Sequence, residues 1–71
     1  MKISRLKKDV TFGMSIAQDI KRNTSKDDMK IVRCILGRDE SNVMGVLKFL
    51  GIFPSKLTKA VKVGILIELS R

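Results

Sequence analysis

Lys56, Lys59 and Lys62 alternate with apolar residues in the stretch LGIFPSKLTKAVK, residues 50–62, and the chemistry they could do is electrostatic. From Ser41 through Ile67 the chain has no acidic residue, while Lys48, Lys56, Lys59 and Lys62 are all present. Such a segment carries an unopposed positive field suited to an anionic partner. Bond-making chemistry has little to work with. Histidine is absent, so a catalytic base would have to be a lysine or one of seven carboxylates. Asp27, Asp28, Asp39 and Glu40 stand at expected helix starts, where capping accounts for them. Cys34 falls between the expected core positions Ile31 and Ile35 and reads as a buried structural thiol. Gly45 and Gly51 lack the strand-to-helix setting of a phosphate loop. No enzyme, no cofactor and no Cys/His metal site is expected.

Composition narrows the partner class. A chain of 71 residues forms one domain, and at this size only roughly 60% of the unfolded surface is buried, so oligomerisation would help. With 44% hydrophobic and 31% charged residues and one proline, it reads as folded helix and not as a disordered tail. Lysine and arginine number 15 against 7 acids, a formal charge of +8, which favours nucleic acid, an acidic protein or an anionic membrane. The membrane is the weakest of these: no apolar run approaches the ~18 residues of a spanning helix, and no helix pairs a lysine-rich face with a clean apolar one over enough length. The N-terminus lacks the apolar core of a signal peptide. The single cysteine has no intramolecular partner, and a reduced, cytoplasmic setting is expected.

The elements that must position these lysines are short helices. Residues 1–10 read as a basic arm, with Lys2, Arg5, Lys7 and Lys8 and no strong helical period, able to lie along phosphates or enter a minor groove. Residues 11–71 read as one helical domain. The first helix is expected over 11–22, its stripe formed by Phe12, Ile16 and Ile20 with Ala17 beside them. Ser25 caps a second helix that buries Met29, Val32, Ile35 and Leu36 and ends at Gly37. Asp39 or Ser41 caps a third, with Val43, Val46, Leu47 and Leu50 inward and Gly51 at positive φ. Pro54 suits the first turn of a fourth, which turns Leu57, Ala60 and Val61 inward. Residues 63–70 read as helix, yet Val63, Ile65, Ile67 and Leu69 also alternate as a strand would. The expected fold is all-α, a small bundle of about four short helices.

In VMGVLKFLGIFPSKLTKAV, residues 43–61, a turn glycine is followed at once by an aliphatic residue and by apolar residues six and nine places on. This resembles the helix-turn-helix family of DNA-binding regulators over residues 43–62. The resemblance implies that the second helix lies in the major groove while the first crosses the phosphates. Ser55, Lys56, Thr58, Lys59 and Lys62 would then be the readers, with Asn42 and Lys48 near the backbone. Two positions depart from the pattern: Leu47 stands where the family carries a small residue, and Phe53-Pro54 replaces a polar helix start. An ordinary corner between core helices gives similar spacing. The readers include no arginine, which points to phosphate-directed contacts more than to guanine recognition. The expected function is that of a small regulator of transcription or replication, of phage, plasmid or bacterial type, binding double-stranded DNA as a homodimer. The alternative is an adaptor that binds and modulates an acidic host protein such as RNA polymerase. Phe53 and the apolar residues Val63, Ile65, Leu66, Ile67 and Leu69 are the expected protein interface.

Overall fold

The computed structural model describes residues 2–54 and 57–71, with side chains from Lys7 onward. Among the described residues the chain is all-α, with helices α1 (Lys2–Asn23), α2 (Lys26–Leu36), α3 (Val43–Phe49) and α4 (Lys59–Leu69). No helix of the described residues is long and apolar enough to cross a membrane.

The expected N-terminal arm is helical. Residues 2–10 form the first turns of α1 and run without a break into the predicted 11–22. Lysine, arginine and leucine are good helix formers, and neither proline nor glycine interrupts the chain before Gly13. At the other end the Asn23 amide donates to the Asp19 carbonyl at 2.9 Å, and Lys21 and Arg22 face the negative end of the helix dipole.

The caps that the sequence predicts for α2 form, while Asp39, expected to cap the third helix, caps the 3-10 turn before it, and α3 itself, with Asn42 at its N-cap position, has no side-chain cap. Ser25 Oγ accepts the Asp28 N–H at 3.1 Å, and Asp27 and Asp28 occupy the first turn. Gly37 closes α2 at φ +57°. Asp39 Oδ1 then accepts the Ser41 N–H at 3.0 Å, which holds the Asp39 carboxyl below its usual range. A 3-10 turn over Glu40–Asn42 leads into α3. At the end of α3, Ile52 N–H donates to Leu47 O at 2.8 Å and Gly51 N–H to Lys48 O at 3.1 Å, the paired bonds of a Schellman motif around Gly51 at φ +76°. A Cβ at Gly51 would meet nothing within 4 Å, so the cost of Gly51→Ala comes from the left-handed backbone alone. We expect about 1 kcal/mol of lost stability in urea denaturation; a neutral substitution would show that the turn does not hold Gly51 left-handed.

The fourth helix starts later than Pro54 suggests. Thr58 is its N-cap, its Oγ1 accepting the Val61 N–H at 3.2 Å, and Lys59 is its first residue. A threonine hydroxyl satisfies a donor that proline's ring leaves open. Residues 63–69, with their strand-like alternation, are helical.

Glycine decides how α4 packs. Gly13 lies against the Val61 carbonyl and 3.0 Å from Ile65 N at its ideal Cβ position; Gly64 lies likewise against the Val10 carbonyl and 3.0 Å from Met14 N. Gly13 with Ala17, and Ala60 with Gly64, place small residues four apart on both helices, so the backbones of α1 and α4 nearly touch. The helices run in the same direction: Gly13 meets Val61 and Ile65, and Lys21 reaches Glu68. The core continues from Ala17, Ile20, Val61, Ile65 and Leu69 into Val32, Leu36, Val43, Val46 and Leu47.

This seam corrects three expectations. Phe12 is 59% exposed, because small residues and not the Phe12 stripe face α4. Cys34 and Ile31 are exposed too: the buried face of α2 is Met29, Val32 and Leu36, which puts positions 31 and 34 on the outside at about 100° per residue. Ile65 and Leu69 are fully buried within the chain, so they are not available to a second copy; α1 covers the surplus apolar face.

Candidate nucleic-acid interface

The residues expected to read DNA do not form one surface on a single helix. Ser55 and Lys56 lie outside the described residues. Thr58 spends its hydroxyl on the N-cap of α4. Lys59 follows it with a side chain 83% exposed, and Glu40 stands 3.8 Å away. The run from Ser41 to Ile67 is therefore free of acid in sequence but not in space, because the turn before α3 brings Glu40 to the start of α4. The pair is exposed on the lysine side and weak. Lys62 is half-buried, and Lys48 is exposed on α3. Asn42 is exposed, yet its amide donates to the Leu36 carbonyl at 3.1 Å, satisfying the open end of α2. Lys7 and Lys8 project from α1, and Lys2 and Arg5 belong to its first turns. Phe53 is 77% exposed, with Phe49 and Ile52 also open to solvent. Ile67 is exposed on α4; Val63 and Leu66 are half-buried.

The corner over residues 43–62 is long. Residues 50–58 separate α3 from α4, whereas a helix-turn-helix joins its helices by three or four residues. Leu47 is buried in the core, at the position where the family carries a small residue. A shorter connection exists one corner earlier, where residues 37–42 separate α2 from α3. Only Gly37, Arg38 and Asp39 separate α2 from the turn that opens α3. The spacing found after Gly51 also recurs there: Val43 and Val46 stand six and nine residues after Gly37, and both are fully buried along with Val32 and Leu36.

A second basic surface was not singled out from sequence. Lys21 of α1 and Lys26, Lys30 and Arg33 of α2 line one groove of about 410 Å³, with Thr24 and Met29 between them. On α2 these cations are spaced i, i+4, i+7, a helical period that was readable in the sequence. What was not readable is Lys21, which α1 delivers to the same groove. Its Nζ donates to Glu68 Oε2 at 3.1 Å and to the Glu68 carbonyl at 3.3 Å. Glu68 is only 6% exposed, and Arg71 Nη1 lies 3.5 Å from its other oxygen.

A cleft of about 480 Å³ on the other side of the α1–α2 junction has the opposite character. Ile16, Ile20, Phe49, Leu50 and Ile52 line it, with Asp19 and Asp28 among its polar residues. Asp19 and Asp28 thus line a different surface from Lys26, Lys30 and Arg33. No protein-family model, no curated protein and no solved structure matches the chain.

Proposed function

We propose that the chain is a small duplex-DNA-binding protein, a regulator of transcription or replication, whose helix-turn-helix corner is α2, Gly37 and α3. The observation that carries this reading is the corner between α2 and α3, where Gly37, Arg38 and Asp39 lead into the 3-10 turn Glu40–Asn42, with Gly37 at positive φ and Val32, Leu36, Val43 and Val46 buried around it. The formal charge of +8 supplies attraction to phosphates. Ser41 and Asn42 are exposed on the 3-10 turn and Lys48 on α3, with Arg38 before that turn and Lys59 and Lys62 on α4. No arginine lies on α3, so contacts to phosphates dominate and base discrimination is modest.

Titration of a labelled duplex across salt tests the reading. Lys48→Ala and Lys59→Ala should each weaken binding to all sequences alike and flatten the salt slope by about 1. Both side chains are exposed, so the thermal midpoint should stay within a few degrees. Unchanged affinity and slope in both variants would remove this surface from DNA binding.

One observation favours a second reading, an adaptor for an acidic protein such as a polymerase: Phe53, Phe49 and Ile52 are exposed near one another in sequence, and solvent-facing aromatics are common protein anchors. A nuclease-resistant complex that is lost on Phe53→Ala would select it over DNA. A homodimer, if formed, would use Ile67 with Val63 and Leu66, because Ile65 and Leu69 are occupied by α1. Sedimentation of wild type against Ile67→Glu decides that point.

A further inference from the structure

We propose that the groove between the C-terminal turn of α1 and the outer face of α2 is a binding site for a run of phosphates in a nucleic-acid backbone, held by Lys21, Lys26, Lys30 and Arg33. The identity of the polyanion rests on the nucleic-acid reading above; the site itself rests on four observations.

First, four cations from two helices converge on one groove whose lining contains no carboxylate. Second, charge is sorted across the α1–α2 junction. Asp19 and Asp28 line the neighbouring apolar cleft, although Asp19 is two residues from Lys21 and Asp28 is two from both Lys26 and Lys30. Third, no carboxylate of the described residues pairs with Lys26, Lys30 or Arg33, whereas Lys59, Arg22, Lys21 and Arg71 all have acidic partners. Other described cations, Lys48 and Lys62 among them, are unpaired too; these three differ in lining one groove together. Fourth, Lys21 is held in place. Glu68 takes its ammonium in two contacts from the last turn of α4, which fixes Lys21 as one wall of the groove while neutralising it, so the unopposed charge is that of Lys26, Lys30 and Arg33. Arg33 Nη2 also donates to the Arg71 carbonyl at 3.4 Å, tying α2 to the end of α4 beside the groove.

Size selects a polyanion over a single small anion. Lys26 to Arg33 spans seven residues, about 10.5 Å of helix axis at 1.5 Å per residue. A lone phosphate bridges two of these cations at most. One strand of a duplex carries a negative charge every ~3.4 Å of axis, so about three successive phosphates match the length of the row. The floor is Met29, buried and apolar, and offers no hydrogen bonds to a base edge.

The test uses the full chain, fluorescence anisotropy with a labelled duplex from 50 to 300 mM salt, and two variants of the groove. Lys26→Ala/Lys30→Ala/Arg33→Ala should bind about tenfold or more weakly at 100 mM salt, with the salt slope reduced by about 2 to 3. All three residues are exposed, so helicity and the thermal midpoint should hold. The charge-preserving variant Lys26→Arg/Lys30→Arg/Arg33→Lys should bind as wild type does. Wild-type affinity and slope in the triple-alanine variant would overturn the groove; loss confined to Lys48→Ala and Lys59→Ala would then leave the DNA reading standing without it. Should wild type ignore duplex DNA but bind inorganic polyphosphate in a manner lost with the triple alanine, the phosphate site stands and the DNA reading falls. Binding of poly-glutamate as strong as that of duplex, with the same loss, overturns the assignment to phosphate. A wild-type chain that binds none of these probes overturns the proposal outright.

Discussion

Alanine at Gly64 is expected to leave most of the chain unfolded or close to its midpoint at physiological temperature. The added Cβ would collide with the Val10 carbonyl oxygen and lie 2.9 Å from its carbon and 3.0 Å from Met14 N. Every one of these atoms is backbone, so no side-chain rotation relieves the overlap. The helices must separate instead, and the burial of Ala17, Ile20, Val61, Ile65 and Leu69 along the seam is lost in part. Overpacking in a well-filled core commonly costs about 1–3 kcal/mol and sometimes more. A core of this size supplies only about 3–5 kcal/mol in total. With about 4–8 °C of midpoint per kcal/mol in so short a chain, circular dichroism should record a fall of more than about 10 °C. Gly13→Ala meets the Val61 carbonyl in the same way and should behave alike. The double variant should lose less than the sum, because one methyl already opens the seam for the other. A midpoint within a few degrees of wild type in either single variant would mean that the helices do not approach as described.

Ile65→Ala should cost about 2–5 kcal/mol. Ile65 is fully buried at the centre of α4, where its backbone also abuts Gly13, so closely packed helices have little room to collapse into the void. Two residues on, Ile67 is exposed, and Ile67→Ala should stay within about 0.5 kcal/mol. Chemical denaturation of the pair reads out the orientation of the helix. Equal losses, or the larger loss at Ile67, would mean that the apolar C-terminal segment is covered by something other than α1.

The same segment shows where local sequence stops being informative. Ser25, Asp39, Gly37 and Gly51 were legible because a cap or a left-handed turn is settled by one residue and its nearest backbone groups. The buried faces of α2 and α3 were legible because Met29, Val32, Leu36, Val43, Val46 and Leu47 repeat at helical spacing. Residues 63–69 carried apolar side chains at both helical and strand spacing, so the local pattern left two structures open; a neighbouring helix with glycine at the crossing selects helix. That partner is fifty residues away, and only the assembled chain puts Gly13 on Val61.

Charge followed the same division. Composition alone established a strongly basic chain, since net charge needs no coordinates. Which lysines share a surface depends on three-dimensional neighbours. Glu40 meets Lys59 across the turn before α3, Lys21 joins Lys26, Lys30 and Arg33 across the α1–α2 junction, and Asp19 and Asp28 fall to the opposite side. Phe12 and Cys34 illustrate the reverse case, residues on plausible stripes that the structure turns outward. Periodicity shows which side chains share a helix face, but not which face a neighbouring helix covers; close backbone approach made the small residues Gly13 and Ala17 the covered face of α1. Local hydrogen bonding and apolar spacing thus fixed the caps of α2, the left-handed turn after α3 and the buried faces of both, and long-range packing fixed the helical state of residues 63–69, the partners of the helices and with them the grouping of the charges.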